Sequence, residues 1–331
     1  MRSALRIIVP ISESKVKNEQ HLYNDVYNIP WEDYFDVGQT FSIHSTVSSS
    51  KFSHSKYVAL KSKDAIVDRF RKKYGQRPSV DIDQPDFQIN IHIRHDILTV
   101  SLDSSGDSLH KRGYRKATVP APLNEVMAAG LLLLSGWDRT KPLVDPMCGS
   151  GTLLSEAYLM SRGFPPQKVN RSFAFKKWRD FDPGIWKMVL EKELNKLEHK
   201  EPPLTGYDRS WKAVQAAGHN LSELCEEDEV SITKRDFFSL DGSSFKEPGI
   251  LIFNPPYDKR LKEDDIKQFY KNIGDHLKSN FPGWEAWIFS GATEALKLMG
   301  LKPSRKISLL NGAITSLFYK FDMYAGSKIK K

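Results

Sequence analysis

ILIFNPPYDKRL, Ile250 to Leu261, holds the residues with the clearest chemical use. Four apolar residues that read as a buried strand stop at Asn254, and two prolines then set an aromatic residue, Tyr257, just beyond the strand end. The Asn254 amide oxygen and the Pro255 carbonyl are two acceptors that could take hydrogen bonds from a conjugated exocyclic amine. Such an amine is a poor nucleophile because its lone pair is delocalised into the ring. Paired acceptors would orient it and favour the pyramidal nitrogen of a transfer transition state. Pro256 stiffens the turn and lowers the entropy cost of that geometry. Tyr257 offers a face on which a base drawn out of its helix could stack. No strong general base is needed, since the nitrogen becomes acidic as its new bond forms. Taken alone, the tetrapeptide would serve equally well as a strand terminator.

Its company favours chemistry. LVDPMCGSGT, Leu143 to Thr152, follows an apolar strand and opens a helix with the spacing D-x-x-x-G-x-G through Asp145, Gly149 and Gly151. This is neither a dinucleotide fingerprint nor a P-loop, since no lysine follows Gly151, so a phosphate cradle is disfavoured. Glycines let the backbone approach a ligand. A helix N-terminus suits a carboxylate such as the amino-acid end of S-adenosylmethionine, with Asp145 accepting from its ammonium group. Asp208 in LTGYDRS ends the next strand, where a carboxylate can take both ribose hydroxyls. Asp236 in TKRDFF ends the third, where it could accept from an adenine amine while Phe237 packs on the ring. Each aspartate alone reads more simply as a cap. Three acids at three successive strand ends beside a glycine loop favour the ligand. The expected cofactor residues are Asp145, Met147, Cys148, Gly149, Ser150, Gly151, Asp208, Arg209, Asp236 and Phe237. Cys148 has no histidine nearby in sequence and is expected to pack rather than react.

These residues need strands to carry them. From about residue 120 the chain alternates helix, strand and loop: PLNEVMAAGLLLLSGW (helix), PLVDP (strand), GTLLSEAYLMSRG (helix), LTGYD (strand), SWKAVQAAGHNLSELC (helix), VSITKRD and GILIF (strands). EDDIKQFYKNIGDHLKS (helix), EAWIFSG (strand) and a closing antiparallel pair, KISLLN and TSLFYKFDMY, complete it. This order predicts a mostly parallel α/β sheet covered on both faces. An irregular insertion, from Phe164 to Pro203, separates its first helix from its second strand. Before residue 115 the pattern is α+β. LRIIVP, TFSIHSTVS and FQINIHIRHDILTVSLDSS read as strands, the last alternating at Ile89, Ile91, Ile93, Leu98, Val100 and Leu102 around a turn at Arg94 to Asp96. SKDAIVDRFRKKYG reads as a helix stopped by Gly75.

Composition bounds the partners. The 331 residues are 40% hydrophobic, enough for two packed domains, and the formal net charge of +8 suits a polyanion as well as it suits any basic soluble protein. LHKRGYRK places Lys111, Arg112, Arg115 and Lys116 around Tyr114, and RFRKKYGQR includes Arg69, Lys72 and Lys73; both are candidate RNA contacts through phosphates and stacking. The second reads equally as a solvated helix face. Cys148 and Cys225 make no disulfide framework and no zinc spacing, so no metal site is expected and a reducing cytoplasm fits. No apolar run reaches the length of a membrane span.

At these residues the sequence resembles the class I S-adenosylmethionine-dependent methyltransferases, and within them a subfamily of THUMP-domain RNA guanine-N2 methyltransferases. LVDPMCGSGTLLSEA is similar to that subfamily's cofactor loop and NPPYDKRL to its catalytic loop. SGDSLHKRGYRKATVPAPLNEVMAAGLLLLSGW is similar to its interdomain junction, and FAFKKWRDFDPGIW to its insertion. The resemblance covers nearly the whole chain. It implies a THUMP RNA-binding domain over 1–115, with a remnant of a ferredoxin-like segment, and a Rossmann-like catalytic domain with a seven-stranded sheet over 116–331. It implies methylation of guanine N2 in RNA, with 23S ribosomal RNA as the leading substrate and catalysis at Asn254, Pro255, Pro256 and Tyr257. Transfer RNA guanine, DNA adenine N6 and a noncatalytic assembly factor are the competing readings. Asn124 departs from the family pattern, which more often has a basic residue there.

Overall fold

A computed structural model describes residues 1–167, 171–195, 198–226, 228–256 and 263–324. Two compact units emerge: Ala4–Leu109 with Asn170–Leu190, and Met1–Ser3 with His110–Val169 and Glu191–Lys331. The sequence reading draws a single cut after residue 115; the units instead exchange two segments. Part of the insertion belongs with the N-terminal unit because its groups are spoken for there. Phe175 N donates to Ser104 O (3.2 Å), Lys177 pairs with Asp86 (2.6 Å), and Trp178 packs on that unit's core.

The N-terminal unit is built from β1 (Ile8–Lys15), α1 (Glu19–Asn28), β2 (Thr40–Ser48), α2 (Ser55–Tyr74), β3 (Ser79–Val80), β4 (Phe87–Arg94) and β5 (Ile97–Asp103). Its sheet runs β1-β5-β4-β2-β3, with β2 parallel to both β3 and β4. The expected alternation holds: Ile89, Ile91, Ile93, Leu98, Val100 and Leu102 are buried and meet Leu22, Val26, Val58, Ala65, Ile66 and Phe70 of the two helices. His95 and Asp96 make the β4–β5 turn with φ of 51° and 59°, the left-handed pair that a tight hairpin requires. Gly75 ends α2 at φ 68° and donates its N–H to Arg71 O, as its position predicts.

The second unit holds α3 (Glu125–Ser135), β6 (Leu143–Asp145), α4 (Thr152–Ser161), the end of α5 (Pro183–Leu194), β7 (Leu204–Asp208), α6 (Trp211–Leu221) and β8 (Ser231–Lys234). It continues through β9 (Ile250–Phe253), α7 (Glu263–Asn280), β10 (Glu285–Ser290), α8 (Thr293–Lys297), β11 (Arg305–Asn311) and β12 (Ile314–Asp322). The seven strands run β11-β12-β10-β9-β6-β7-β8, and β12 runs antiparallel to both β10 and β11 in an otherwise parallel sheet. Burial on both faces explains the unbroken apolar strands. Ile250 and Ile252 of β9 face Leu153, Leu154, Ala217 and Leu221, while Leu251 and Phe253 face Tyr270, Ile273, Leu277 and Leu296. Asn124, the family departure, is the N-cap of α3, its Oδ1 accepting from Val126 N at 3.0 Å. No helix among the described residues is long and apolar enough to cross a membrane.

Candidate active site

The strand order reverses at β6, which pairs with β7 on one side and β9 on the other. The carboxyl ends of these three strands therefore lie side by side, where open α/β sheets bind ligands. Asp145 ends β6 opposite Gly206 of β7. Its carboxyl is 3% exposed and takes a hydrogen bond from Met147 N at 3.1 Å. Burial, joined by the negative charge of Asp208 and opposed by that N–H, raises its pKa to about 8.

The loop after Asp145 is folded by its own backbone. Cys148 N donates to Tyr207 O (2.9 Å) and Gly151 N to Cys148 O (2.8 Å). Gly149 and Gly151 adopt φ of 56° and 76°, which favours glycine. Gly149 N donates to Asp208 Oδ2 (3.0 Å) and Ser210 N to Asp208 Oδ1 (2.8 Å), so Asp208 both caps its own turn and fastens the glycine loop. A side chain on Gly206 would put a Cβ 2.4 Å from Leu154 Cδ1, which is why β7 can lie so close to α4. The Cys148 thiol is buried, and burial beside Asp145 and Asp208 pushes its pKa well up, which suits packing and not attack. Ser150 is buried, Met147 is half-buried against the core, and Arg209 is exposed.

Asn254 leaves β9 beside this loop. Its Oδ1 is buried and has no hydrogen-bond partner among the described residues. Pro255 is buried and Pro256 exposed, and Tyr257 lies outside the described residues. An orphaned amide oxygen is unusual in a folded protein, because buried acceptors are nearly always paired.

Asp236 and Phe237 sit differently from expectation. Asp236 Oδ1 accepts from Phe238 N at 2.9 Å, the plain capping role. Phe237 is 3% exposed, with its ring against Phe253, Phe281 and His276. Its place in that aromatic core removes it as an open face for a ligand ring. The exposed ring is Phe238, edge-on to Phe237 and Phe269.

Several expected RNA contacts are instead structural. Arg69 forms a two-pronged pair with Glu32 (2.7 and 2.8 Å) and also donates to Tyr27 O, and Lys73 reaches the same carboxylate at 2.6 Å. These two cations hold the Glu32 carboxyl far below the usual range, Arg69 foremost. Arg112 and Tyr114 are buried against Glu156, at 3.2 and 3.1 Å. Arg115 pairs with Glu125 at 2.8 Å and donates to Ser150 and Thr152. Lys116 lies 3.6 Å from Glu223. Lys72 and Lys111 keep exposed side chains, Lys72 with its ammonium 6.0 Å from the Tyr27 ring centre. Each arginine is largely buried with its carboxylate, so turning it toward a phosphate would leave a buried charge uncompensated. Asn220, which no motif marked, proves central to the loop. Its one sequence signal was a polar residue on the otherwise apolar face of α6.

Residues 112–320 match the RMKL-like methyltransferase domain, and residues 16–103 match the THUMP domain. The chain belongs to the RMKL-like methyltransferase family. A Synechocystis sp. protein, slr0064, is 39% identical to it over 325 residues, covering 98% of this chain and 84% of its own length. The ribosomal RNA large subunit methyltransferase K/L of Syntrophotalea carbinolica is 37% identical over 332 residues; this methyltransferase spans 97% of its own length but only 47% of that protein. The solved structure of SMU.472, which holds SAH, superposes with a TM-score of 0.83 at 29% identity, covering 97% of this methyltransferase and 85% of SMU.472. SAH is what S-adenosylmethionine becomes after giving up its methyl group.

Proposed function

We propose that this methyltransferase transfers a methyl group from S-adenosylmethionine to the N2 amine of a guanine in RNA, that the RNA is large-subunit ribosomal RNA, and that it acts in the cytoplasm. The observation that carries the chemistry is the unpartnered, buried Oδ1 of Asn254 at the end of β9. A donor on the substrate would satisfy it, and an exocyclic amine supplies such donors. Together with the Pro255 carbonyl it would hold the amine so that its lone pair points at the incoming methyl. The cofactor supplies an electrophilic methyl on a sulfonium. The residues present suit it: a glycine-lined helix start for its carboxylate, Asp145 for its ammonium, and Asp208 beside the loop for its ribose. The guanine and the ribosomal substrate rest on the THUMP match, the family resemblance and the name of the K/L relative. Nucleoside mass spectrometry of ribosomal RNA from cells with and without the gene tests this reading. One N2-methylguanosine in the large-subunit RNA should vanish on deletion and return with the wild-type gene.

Asp145 supplies an independent check. With a pKa of about 8 it is mostly protonated at pH 7. Pairing with an ammonium requires the carboxylate, so binding must expel that proton. Calorimetry of SAH binding at pH 7 in buffers of different ionisation enthalpy should report release of close to one proton, and affinity should rise between pH 6 and 8. Asp145→Asn should abolish both effects.

On the N-terminal unit, we assign the RNA face to cations that make no ion pair among the described residues. Lys17, Lys51 and His54 line an open groove of about 640 Å³ with Phe52, Tyr57 and Glu19, whose carboxylate accepts from the Tyr57 hydroxyl at 2.6 Å, and none of the three cations makes an ion pair among the described residues. Exposed lysines beside aromatic rings are the elements that bind single-stranded RNA. Lys17→Glu with Lys51→Glu should weaken RNA binding about ten-fold or more and flatten its salt dependence by about 1.4 in slope. Lys302→Glu with Lys306→Glu, two exposed lysines by β11 of the second unit, is the control of like charge change, and equal weakening by it would remove the groove from the RNA face.

A further inference from the structure

We propose that Arg115, held in place with the help of Asn220, is a positioning residue for the cofactor loop. The inference rests on the reading that this loop holds S-adenosylmethionine. Residues Arg115 to Val119 lie across the loop as a strap. The Arg115 guanidinium is 20% exposed at its side chain and its donors are distributed over four acceptors: Nε to Glu125 Oε1 (2.8 Å), Nη1 to Ser150 Oγ (3.2 Å), and Nη2 to Thr152 Oγ1 (2.9 Å) and Leu123 O (2.9 Å). Ser150 and Thr152 flank Gly151, the residue that opens α4. One planar group thus fixes the loop on both sides of its left-handed glycine and ties it to the start of α3 through Glu125.

Asn220 closes the arrangement from beneath. It is 1% exposed, and its amide is used in full. Oδ1 accepts from Lys116 N (2.8 Å) and Ala117 N (2.9 Å), while Nδ2 donates to Ala117 O (2.9 Å) and Ser150 O (2.9 Å). The strap and the loop are therefore bonded to the same side chain. Further along, Val119 Cγ2 lies 3.7 Å from where a Cβ on Gly149 would be. A loop with two left-handed glycines has little intrinsic stiffness. An external frame that fixes Ser150 and Thr152 lets its N–H groups meet a ligand without first being ordered, and that preorganisation appears as affinity. The fork matters more than the charge. A lysine ammonium is a single point with three donors and cannot span acceptors on both sides of Gly151.

Arg115→Lys is the discriminating variant. SAH titrated into the full-length protein by calorimetry should bind at least ten-fold more weakly. KM for S-adenosylmethionine should rise in parallel, with kcat at saturating cofactor within about three-fold of wild type. Hydrogen exchange at residues 148–152 should accelerate while the amides of β9 and β10 keep their protection. Ser150→Ala, which removes one acceptor of the fork, should weaken SAH binding by a few-fold without loss of fold, and it serves should Arg115→Lys prove unstable. Ile288→Val in β10 is a control for general destabilisation and should leave SAH affinity unchanged. A wild type that binds SAH while Arg115→Lys and Ser150→Ala both bind within two-fold overturns the positioning role. If the wild type itself fails to bind SAH, the cofactor reading falls, and this inference with it.

Discussion

Asn254→Ala is expected to lower single-turnover methyl transfer by about 10²- to 10³-fold while SAH binds as in wild type. The side chain supplies an acceptor that matters as the amine turns pyramidal, so its loss belongs to the chemical step and not to cofactor affinity. The same substitution carries an unusual stability signature. A buried acceptor left without a partner costs the folded protein about 1–3 kcal/mol. Asn254 Oδ1 is such an atom, so removing it should leave Tm unchanged or raise it, where truncating a buried polar residue ordinarily lowers Tm. A rate loss combined with a lowered Tm would indicate that Asn254 holds the loop together and does no chemistry. A rate within a few-fold of wild type would remove it from the site altogether.

Gly151→Ala should cost the cofactor loop its shape. At φ 76° an L-residue is strained by roughly 1–2 kcal/mol. The new Cβ would also lie 3.0 Å from Ala217 Cβ and 3.2 Å from Ala217 Cα. Ala217 is fully buried on α6, so the backbone of that helix would have to yield, and Asn220 sits one turn further along it. Strain and overpacking together should remove about 2–4 kcal/mol and reduce SAH affinity at least 100-fold. Gly149→Ala is the instructive contrast. It shares a left-handed φ of 56°, but its Cβ would meet only Val119 at an ordinary 3.7 Å. Its stability loss should therefore be about half as large, measured by thermal unfolding of both variants. Equal losses would mean that close packing on α6 adds nothing to the glycine requirement at 151.

The comparison of these two glycines shows where sequence reading works and where it stops. The spacing D-x-x-x-G-x-G after an apolar run identifies a loop that must come close to a ligand, because only glycine tolerates such a backbone. It cannot say which glycine also touches a neighbouring helix. The strands of the catalytic sheet were legible for a related reason: buried on both faces, they are short unbroken apolar runs, and β9 and β10 match their readings closely. Helix α1 was not legible. Only Leu22 and Val26 of its ten residues are buried, and its start depends on Asn18 Oδ1 accepting from His21 N, a cap that looks like any polar turn. Part of the insertion read as irregular forms α5, whose apolar Ile185, Met188 and Val189 stay exposed while Trp186 packs on Phe173 and Phe175 of the same insertion, so its pattern does not point to a distant core.

The basic residues make the same point about charge. LHKRGYRK and RFRKKYGQR read as RNA contacts because a sequence shows the cation and hides its partner. Glu32 lies 37 residues from Arg69, and Glu156 lies 44 from Arg112. By itself the sequence determined what depends on local chemistry: the glycine loop, the acids at strand ends, the end of the apolar strand at Asn254 and the alternation of strands and helices. Tertiary structure alone decided what depends on distant neighbours. It left the Asn254 amide oxygen without a partner among the described residues, enclosed Phe237 among other rings, exchanged two segments between units, and turned Arg115 from a solvent cation into a brace. Whether a polar group is free or satisfied is set by groups that folding brings within about 3 Å, and no local pattern encodes that distance.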